Sequence, residues 1–118
     1  MEYDKNNIFA RIIRGEIPAK KIYEDEFVLA IEDIEPATPS HILVLPKGEY
    51  ISFDDFTRNA SSERIKYFFE KITEIARINK LESSGYRLIT NHGSDAAQSV
   101  PHFHVHILGG KKMGALLG

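Results

Sequence analysis

The chain has 118 residues, which is the size of one domain with a single core. Its 15 basic and 17 acidic residues give a net charge of −2, so the composition provides no electrostatic surface for nucleic acid or an anionic membrane. No cysteine is present, which excludes disulfides, thiol catalysis and thiolate metal sites. The first residues lack a signal-peptide pattern and no apolar run reaches the length of a membrane span, so we expect one soluble, cytoplasmic domain over residues 1–118.

The first third of the chain predicts a short helix followed by a hairpin. Asn6 or Asn7 can cap the helix, and Gly15 suits the left-handed residue that ends one. Its apolar side carries Ile8, Phe9, Ile12 and Ile13. Residues 22–24 and 27–33 then predict two antiparallel strands joined by a tight turn.

The next segment predicts a strand at the centre of the sheet. Residues 40–46 are apolar on both faces, as central strands are, and His41 opens the strand. From the sequence alone, His41 is either hydrogen-bonded at a strand edge or part of a site. Residues 47–59 are polar and predict irregular structure.

A long amphipathic helix follows, capped by Asn59 or Ser61. Its apolar stripe packs on a sheet and comprises Ile65, Phe68, Phe69, Ile72, Ile75 and Ala76. Residues 86–91 predict the next strand, and residues 92–98, rich in small and polar side chains, predict a loop. Five strands and two helices indicate an α+β fold, with an antiparallel sheet and the helices on one face.

The residue pattern from His102 to Ile107 is the most informative stretch. His102, His104 and His106 alternate with apolar residues, and a period of two is that of a β-strand. The histidines therefore share one face, and the intervening Phe103, Val105 and Ile107 face the core.

Two chemistries suit this histidine face. Imidazoles are the commonest metal ligands, so a structural zinc site that includes His41 stays open, although the motif contains no carboxylate. Alternatively, one imidazole attacks a phosphorus atom while its neighbours stabilise the oxygen charge without a metal. In that case the second ring nitrogen of the attacking histidine needs an acceptor, and we expect a backbone carbonyl.

The pattern of residues 102–108, His-φ-His-φ-His-φ-φ with φ apolar, resembles the signature of the histidine triad superfamily. Matches to its histidine triad nucleotide-binding protein branch cover nearly the whole chain. They comprise Ile8-Phe9, residues 12–19, Asp33-Ile34, Pro39-Ser40-His41, Leu45-Pro46-Lys47, and the stretch from Asn91-His92-Gly93-Ser94-Asp95 through Gly109-Gly110.

This resemblance implies a purine nucleoside phosphoramidate hydrolase, which releases AMP and an amine through a nucleotidyl-histidine intermediate with no cofactor or metal. It also implies a homodimer in which two five-stranded sheets join into one sheet of ten strands. In the roles that it carries over, His104 is the nucleophile and His106 donates to the phosphate oxygens. His102 and His41 support the cluster, and Ser99 contacts the leaving atom.

The resemblance also implies a nucleotide-binding set. Asp33 accepts the ribose hydroxyls, Ile31 and Ile34 form apolar walls around the purine, and the remainder surround the phosphate. The full set is Ile31, Asp33, Ile34, Asn91, Ala97, Gln98, Ser99, His104 and His106. The alternatives are a dinucleoside polyphosphate hydrolase and a non-catalytic purine-nucleotide-binding interaction module.

Overall fold

The fold is known from a computed structural model that describes residues 2–117. In chain order its elements are α1 (Ile8–Ile13), β1 (Lys21–Glu24), β2 (Val28–Glu32), β3 (Ser40–Pro46), α2 (Phe53–Asn59), α3 (Ser62–Ile78), β4 (Tyr86–Ile89), a 3₁₀ turn (Ser94–Ala96) and β5 (Val105–Gly109).

The five strands form one sheet in the order β1-β2-β3-β5-β4, and each neighbouring pair is antiparallel. This confirms the predicted α+β class and the central place of β3. Since β3 and β5 are neighbours, residues that are far apart in sequence meet at the middle of the sheet. The register pairs Leu43 with His106 and His41 with Leu108. His41 and His106 therefore lie two positions apart on one face.

The sheet is covered on both faces, so the expectation of helices on one face was wrong. One face packs Val28, Val44 and Ile107 against α2 and α3. The other packs Leu29 and Leu43, with their neighbours, against α1. The reason lies in β2 and β3, which are apolar on both faces and lose hydrophobic stabilisation wherever they stay in contact with water. The short α1 covers the face that α3 leaves open.

The polar segment of residues 47–59 contains a helix, α2, so the prediction that it is irregular was wrong. Ser52 caps it by accepting a hydrogen bond from the amide of Asp55, and Asp54 and Asp55 are placed favourably in its first turn. Phe56 anchors it, since this ring is only 1% exposed and stacks on Phe103 with 4.8 Å between ring centroids. The described chain thus has three α-helices rather than the two predicted.

The other two helices agree with their sequence signals. Asn7 caps α1 through its side chain, Gly15 has a φ of +80°, and Ser61 caps α3. Within residues 2–117, no helix combines the length and the apolar composition needed to cross a bilayer.

Regular pairing in β5 begins at Val105, which is later than the histidine pattern suggested. His106 is therefore the one triad histidine inside the strand, whereas His102 lies in a bend and His104 in the irregular segment that leads into β5. The predicted core face holds, since Phe103, Val105 and Ile107 all belong to the cluster under α3.

Candidate active site

A cleft of about 370 Å³ opens on the α1 face of the sheet. Phe9 and Ile12 of α1 form one wall, and the end of β2, from Ile31 to Glu35, forms another. His104 and His106 lie at its base together with Ser99. The volume and the mostly apolar lining with a few convergent polar groups are those of a small-molecule site.

Hydrogen bonds fix the protonation pattern of the first histidine pair. The backbone amide of Ala37 donates to Nδ1 of His41 (3.0 Å), so the proton of this neutral ring is on Nε2. That nitrogen lies 2.9 Å from Nδ1 of His106 and donates to it. The remaining proton of His106 is then on Nε2, which makes this nitrogen a donor. His106 lines the cleft and can present that donor to a bound anion.

His104 has the opposite arrangement. Its Nδ1 lies 2.8 Å from the carbonyl oxygen of His102 and donates to it, as expected for a backbone acceptor. The Nε2 atom of His104 therefore keeps its lone pair. The Phe9 ring and this imidazole pack edge to face, with 4.9 Å between centroids, and the hydroxyl of Thr90 donates to the carbonyl oxygen of His104 (2.8 Å). The cleft thus contains an imidazole nitrogen with a lone pair beside a hydrogen-bond donor.

His102 lies behind the cleft and is fully buried. Its Nε2 donates to the carbonyl oxygen of Pro46 (2.7 Å), and its Nδ1 accepts from the hydroxyl of Tyr3. Both ring nitrogens are therefore satisfied inside the protein. This geometry fits a supporting role rather than contact with a ligand.

Burial keeps the three triad imidazoles neutral. Desolvation lowers the pKa of His102 to about 4 against the opposing hydrogen bond to Pro46, and the neighbouring His104 lowers this pKa further. Desolvation also lowers the pKa of His106 to about 4, helped by His104 and His41. The pKa of His104 is lowered mainly by its burial, against the hydrogen bond to His102. Near neutral pH all three rings are uncharged, so His104 keeps the lone pair that a nucleophile needs.

Asp33 follows β2 and faces the same histidines. Its amide donates to the carbonyl oxygen of His41 (3.0 Å), and its Oδ1 accepts from the amide of Glu35 (2.8 Å). Its Oδ2 lies 3.4 Å from Nε2 of His41. The carboxylate is thereby fixed in the wall of the cleft, where it can accept hydrogen bonds from ligand hydroxyls.

Six members of the predicted nucleotide-binding set line the cleft: Ile31, Asp33, Ile34, Ser99, His104 and His106. The other three lie outside its lining and shape the loop before the triad. Asn91 donates to the carbonyl of Ala96 (2.8 Å), and Ala97 has a left-handed φ of +57°. The side chain of Gln98 accepts from Gly93 (2.9 Å) and donates to Ile51 (2.7 Å).

Several contributors to the site were not predicted from the sequence. The predicted core residue Phe9 also contacts His104 with its ring, and Pro18 and its neighbours add to the cleft wall. Thr90 and Tyr3 support the triad from a distance in sequence, and no local pattern marks them. Phe9 and Pro18 carried a usable signal, since both lie in segments that match the family, Ile8-Phe9 and residues 12–19.

One group of side chains in the site has the spacing of metal ligands. Among residues 2–117, Asp33, His41 and His106 are the group whose ligand atoms all lie within 4.8 Å of one another. However, Nδ1 of His41 accepts an amide hydrogen, so the neutral ring carries its proton on the nitrogen that a metal would need. The group therefore fits a chain of hydrogen bonds, from Ala37 to His41 and from His41 to His106, better than a metal centre.

Comparisons with known proteins agree with this fold and motif. A family model described as the HIT domain matches residues 14–113. An uncharacterized HIT-like protein of Rickettsia prowazekii is 51% identical over 115 residues, covering 98% of this chain and 96% of that protein. Among solved structures, a HIT family hydrolase from Legionella pneumophila is 36% identical with a TM-score of 0.89, over 96% of this chain and 100% of that one. A histidine triad protein from Clostridium difficile is 42% identical with a TM-score of 0.87, over 98% of both chains.

Proposed function

Since this chain belongs to the HIT domain family, we propose that it is a purine nucleoside phosphoramidate hydrolase of the histidine triad nucleotide-binding branch. The observation that carries the proposal is the hydrogen bond of 2.8 Å from Nδ1 of His104 to the carbonyl oxygen of His102. It leaves Nε2 as the free nucleophile in a cleft of suitable size. Likeness to a HIT family hydrolase supports the reaction class.

In the first step, Nε2 of His104 attacks phosphorus and the bond between phosphorus and nitrogen breaks. The departing amine takes up a proton supplied by solvent, and we assign Ser99, which lines the cleft, to the contact with the leaving atom. The His104 ring becomes cationic but keeps its Nδ1 proton, so its hydrogen bond to His102 strengthens. The Nε2 proton of His106 stabilises the charge on the phosphoryl oxygens.

In the second step, water attacks the phosphorus of the nucleotidyl-histidine. The water supplies one oxygen to the product AMP, its protons pass to the product and to solvent, and His104 returns as a neutral imidazole. The net reaction consumes one water and yields AMP and the amine. No metal ion is required, because neutral donors stabilise the charge on the oxygens.

The walls of the cleft support a purine nucleoside as the ligand. Ile31 is buried at the base of the wall, while Ile34 is 91% exposed at its mouth and free to cover a flat base. Asp33, fixed between them, can accept both ribose hydroxyls. We assign Asn91, Ala97 and Gln98 to the loop beside the phosphate.

The family resemblance also supports a homodimer with one continuous sheet, acting in the cytoplasm. In the chain by itself, β1 and β4 form the edges of the sheet, and Leu88 of β4 is 45% exposed. An edge with an exposed apolar side chain suits pairing with a second copy. Sedimentation equilibrium tests this, since a monomeric mass at working concentrations would contradict it.

The test of the activity is AMP release from an adenosine phosphoramidate with an aromatic amine as the leaving group, assayed with and without a chelator. Wild-type protein should release AMP equally under both conditions, and His104→Ala should abolish release while AMP binding survives. His92→Ala is the matched control, because His92 lies outside the cleft lining. Ordinary turnover by His104→Ala would overturn the mechanism. AMP binding by wild type without any release would instead favour a dinucleoside polyphosphate substrate or a non-catalytic binding module.

A further inference from the structure

The N-terminal segment reaches the triad from outside the cleft. Tyr3 precedes α1, and its hydroxyl donates to Nδ1 of His102, which is 99 residues further along the chain. The two rings meet edge to face, with 5.6 Å between centroids. Tyr3 is absent from the cleft lining, and its hydrogen bond and its ring contact are both with His102.

The segment that presents Tyr3 is itself held in place. The amide and the side chain of Asn7 both donate to the carbonyl oxygen of Asp4 (3.2 and 2.8 Å), and Arg14 donates to the carbonyl oxygen of Lys5 (2.8 Å). These bonds tie residues 4–7 to the start and the end of α1. Tyr3 is therefore oriented by a turn rather than by a freely moving tail.

His102 connects Tyr3 to the nucleophile by its backbone. The same residue that accepts the Tyr3 hydroxyl also supplies the carbonyl oxygen that holds Nδ1 of His104. Phe9 adds a second connection, because its ring contacts both His102 and His104. With its ring bonded to Tyr3 on one side and to Pro46 on the other, His102 has no freedom to rotate.

We propose that Tyr3 is a positioning residue, which clamps the ring of His102 and so keeps the carbonyl oxygen of His102 in place for His104. The proposal rests on the proposed function, in which His104 must present Nε2 for attack. Burial raises the pKa of Tyr3, which keeps the hydroxyl protonated as a donor. Loss of this donor leaves Nδ1 of the buried His102 unpaired, so that the ring moves or changes tautomer to regain a partner.

The test compares Tyr3→Phe with Tyr23→Phe. Each substitution removes one hydroxyl and keeps the ring, but Tyr23 bonds to Asp25 (2.8 Å) and packs with the cluster on the opposite face of the sheet. For Tyr3→Phe, we expect kcat for AMP release to fall by about tenfold or more, as for lost outer partners of metal ligands, with KM and AMP affinity little changed. Tyr23→Phe should leave kcat within about twofold of wild type. Equal kcat values in the two variants, or a Tyr3→Phe effect on KM alone, would contradict the proposal.

Nitrogen NMR of the histidine rings gives a readout that does not depend on turnover. In wild-type protein, His102 should show a protonated Nε2 and an unprotonated Nδ1 that accepts a hydrogen bond. In Tyr3→Phe, that pattern should be lost or averaged, and the Nδ1–H signal of His104 should broaden or shift. A protonated Nδ1 on wild-type His102, or unchanged His102 and His104 signals in Tyr3→Phe, would overturn the clamp. If wild type turned over no phosphoramidate, the proposed function would fail while this spectrum still decided the role of Tyr3.

Discussion

Acid should destabilise this protein through His102, and the structure sets the size of the effect. The ring is fully buried and its pKa is about 4, against an ordinary value of 6.5. Between these values the unfolded chain binds a proton at this site and the folded chain does not. The contribution to stability is thus fully present above about pH 6.5 and is lost as the pH falls toward 4.

The folded and unfolded pKa values of His102 give the size of this loss of stability. Proton binding by unfolded His102 should cost about 2 kcal/mol of folding free energy at pH 5 and about 3 kcal/mol at pH 4. This is a large part of the roughly 5–15 kcal/mol by which a domain of this size is stable. The variant His102→Gln removes the titrating group but keeps an N–H that can donate to the Pro46 carbonyl.

Urea unfolding at pH 7.5 and pH 5 measures this loss of stability directly. Between the two pH values, wild-type protein should lose about 2 kcal/mol more of its free energy of unfolding than His102→Gln loses. NMR titration provides a second check, since the ring protons of His102 should not shift above about pH 5. Equal losses in both proteins, or titration of His102 near its ordinary pKa, would refute the claim that burial keeps this ring neutral.

Two further substitutions test the hydrogen bond from His41 to His106 and the core. His41→Ala removes the donor 2.9 Å from Nδ1 of His106, so His106 loses its fixed tautomer. Steady-state kinetics should show turnover lowered about 10- to 100-fold with AMP affinity little changed. Unchanged turnover would contradict the role of the hydrogen bond from His41 to His106. Phe56→Ala removes a ring that is 1% exposed and stacked on Phe103. Urea unfolding should show that the free energy of unfolding falls by about 3–5 kcal/mol. A fall below about 1 kcal/mol would show that Phe56 does not anchor α2 to the core.

The sequence predicted most of the sheet because its signals there are local. The period-two pattern placed Phe103, Val105 and Ile107 in the core, and the doubly apolar run from residue 40 marked the central strand. The short helix α2 escaped because seven residues with two aromatic side chains carry too little periodicity. Its stability comes from contacts of Phe56 with Phe68 in the next helix and with Phe103, which lies far away in sequence.

The site was predicted less completely than the fold, for a related reason. The spacing in the sequence predicted three histidines on one face, but it could not show that His102 is buried behind the cleft. That outcome depends on Tyr3 and Pro46, which reach His102 from separate parts of the chain. Nor could spacing pair His41 with His106, since this contact is set by the register between β3 and β5.

The central claim is that Nε2 of His104 forms a covalent bond to the nucleotide phosphorus. Its most direct test is rapid mixing with excess adenosine phosphoramidate, a quench in alkaline denaturant that preserves the phosphorus to nitrogen bond, and peptide mass spectrometry. The account predicts one added adenylyl group on the peptide that contains His104, located on that residue by fragmentation and absent in His104→Ala. An adenylyl group on His102 or His106, or AMP release at full rate from His104→Ala, would contradict it.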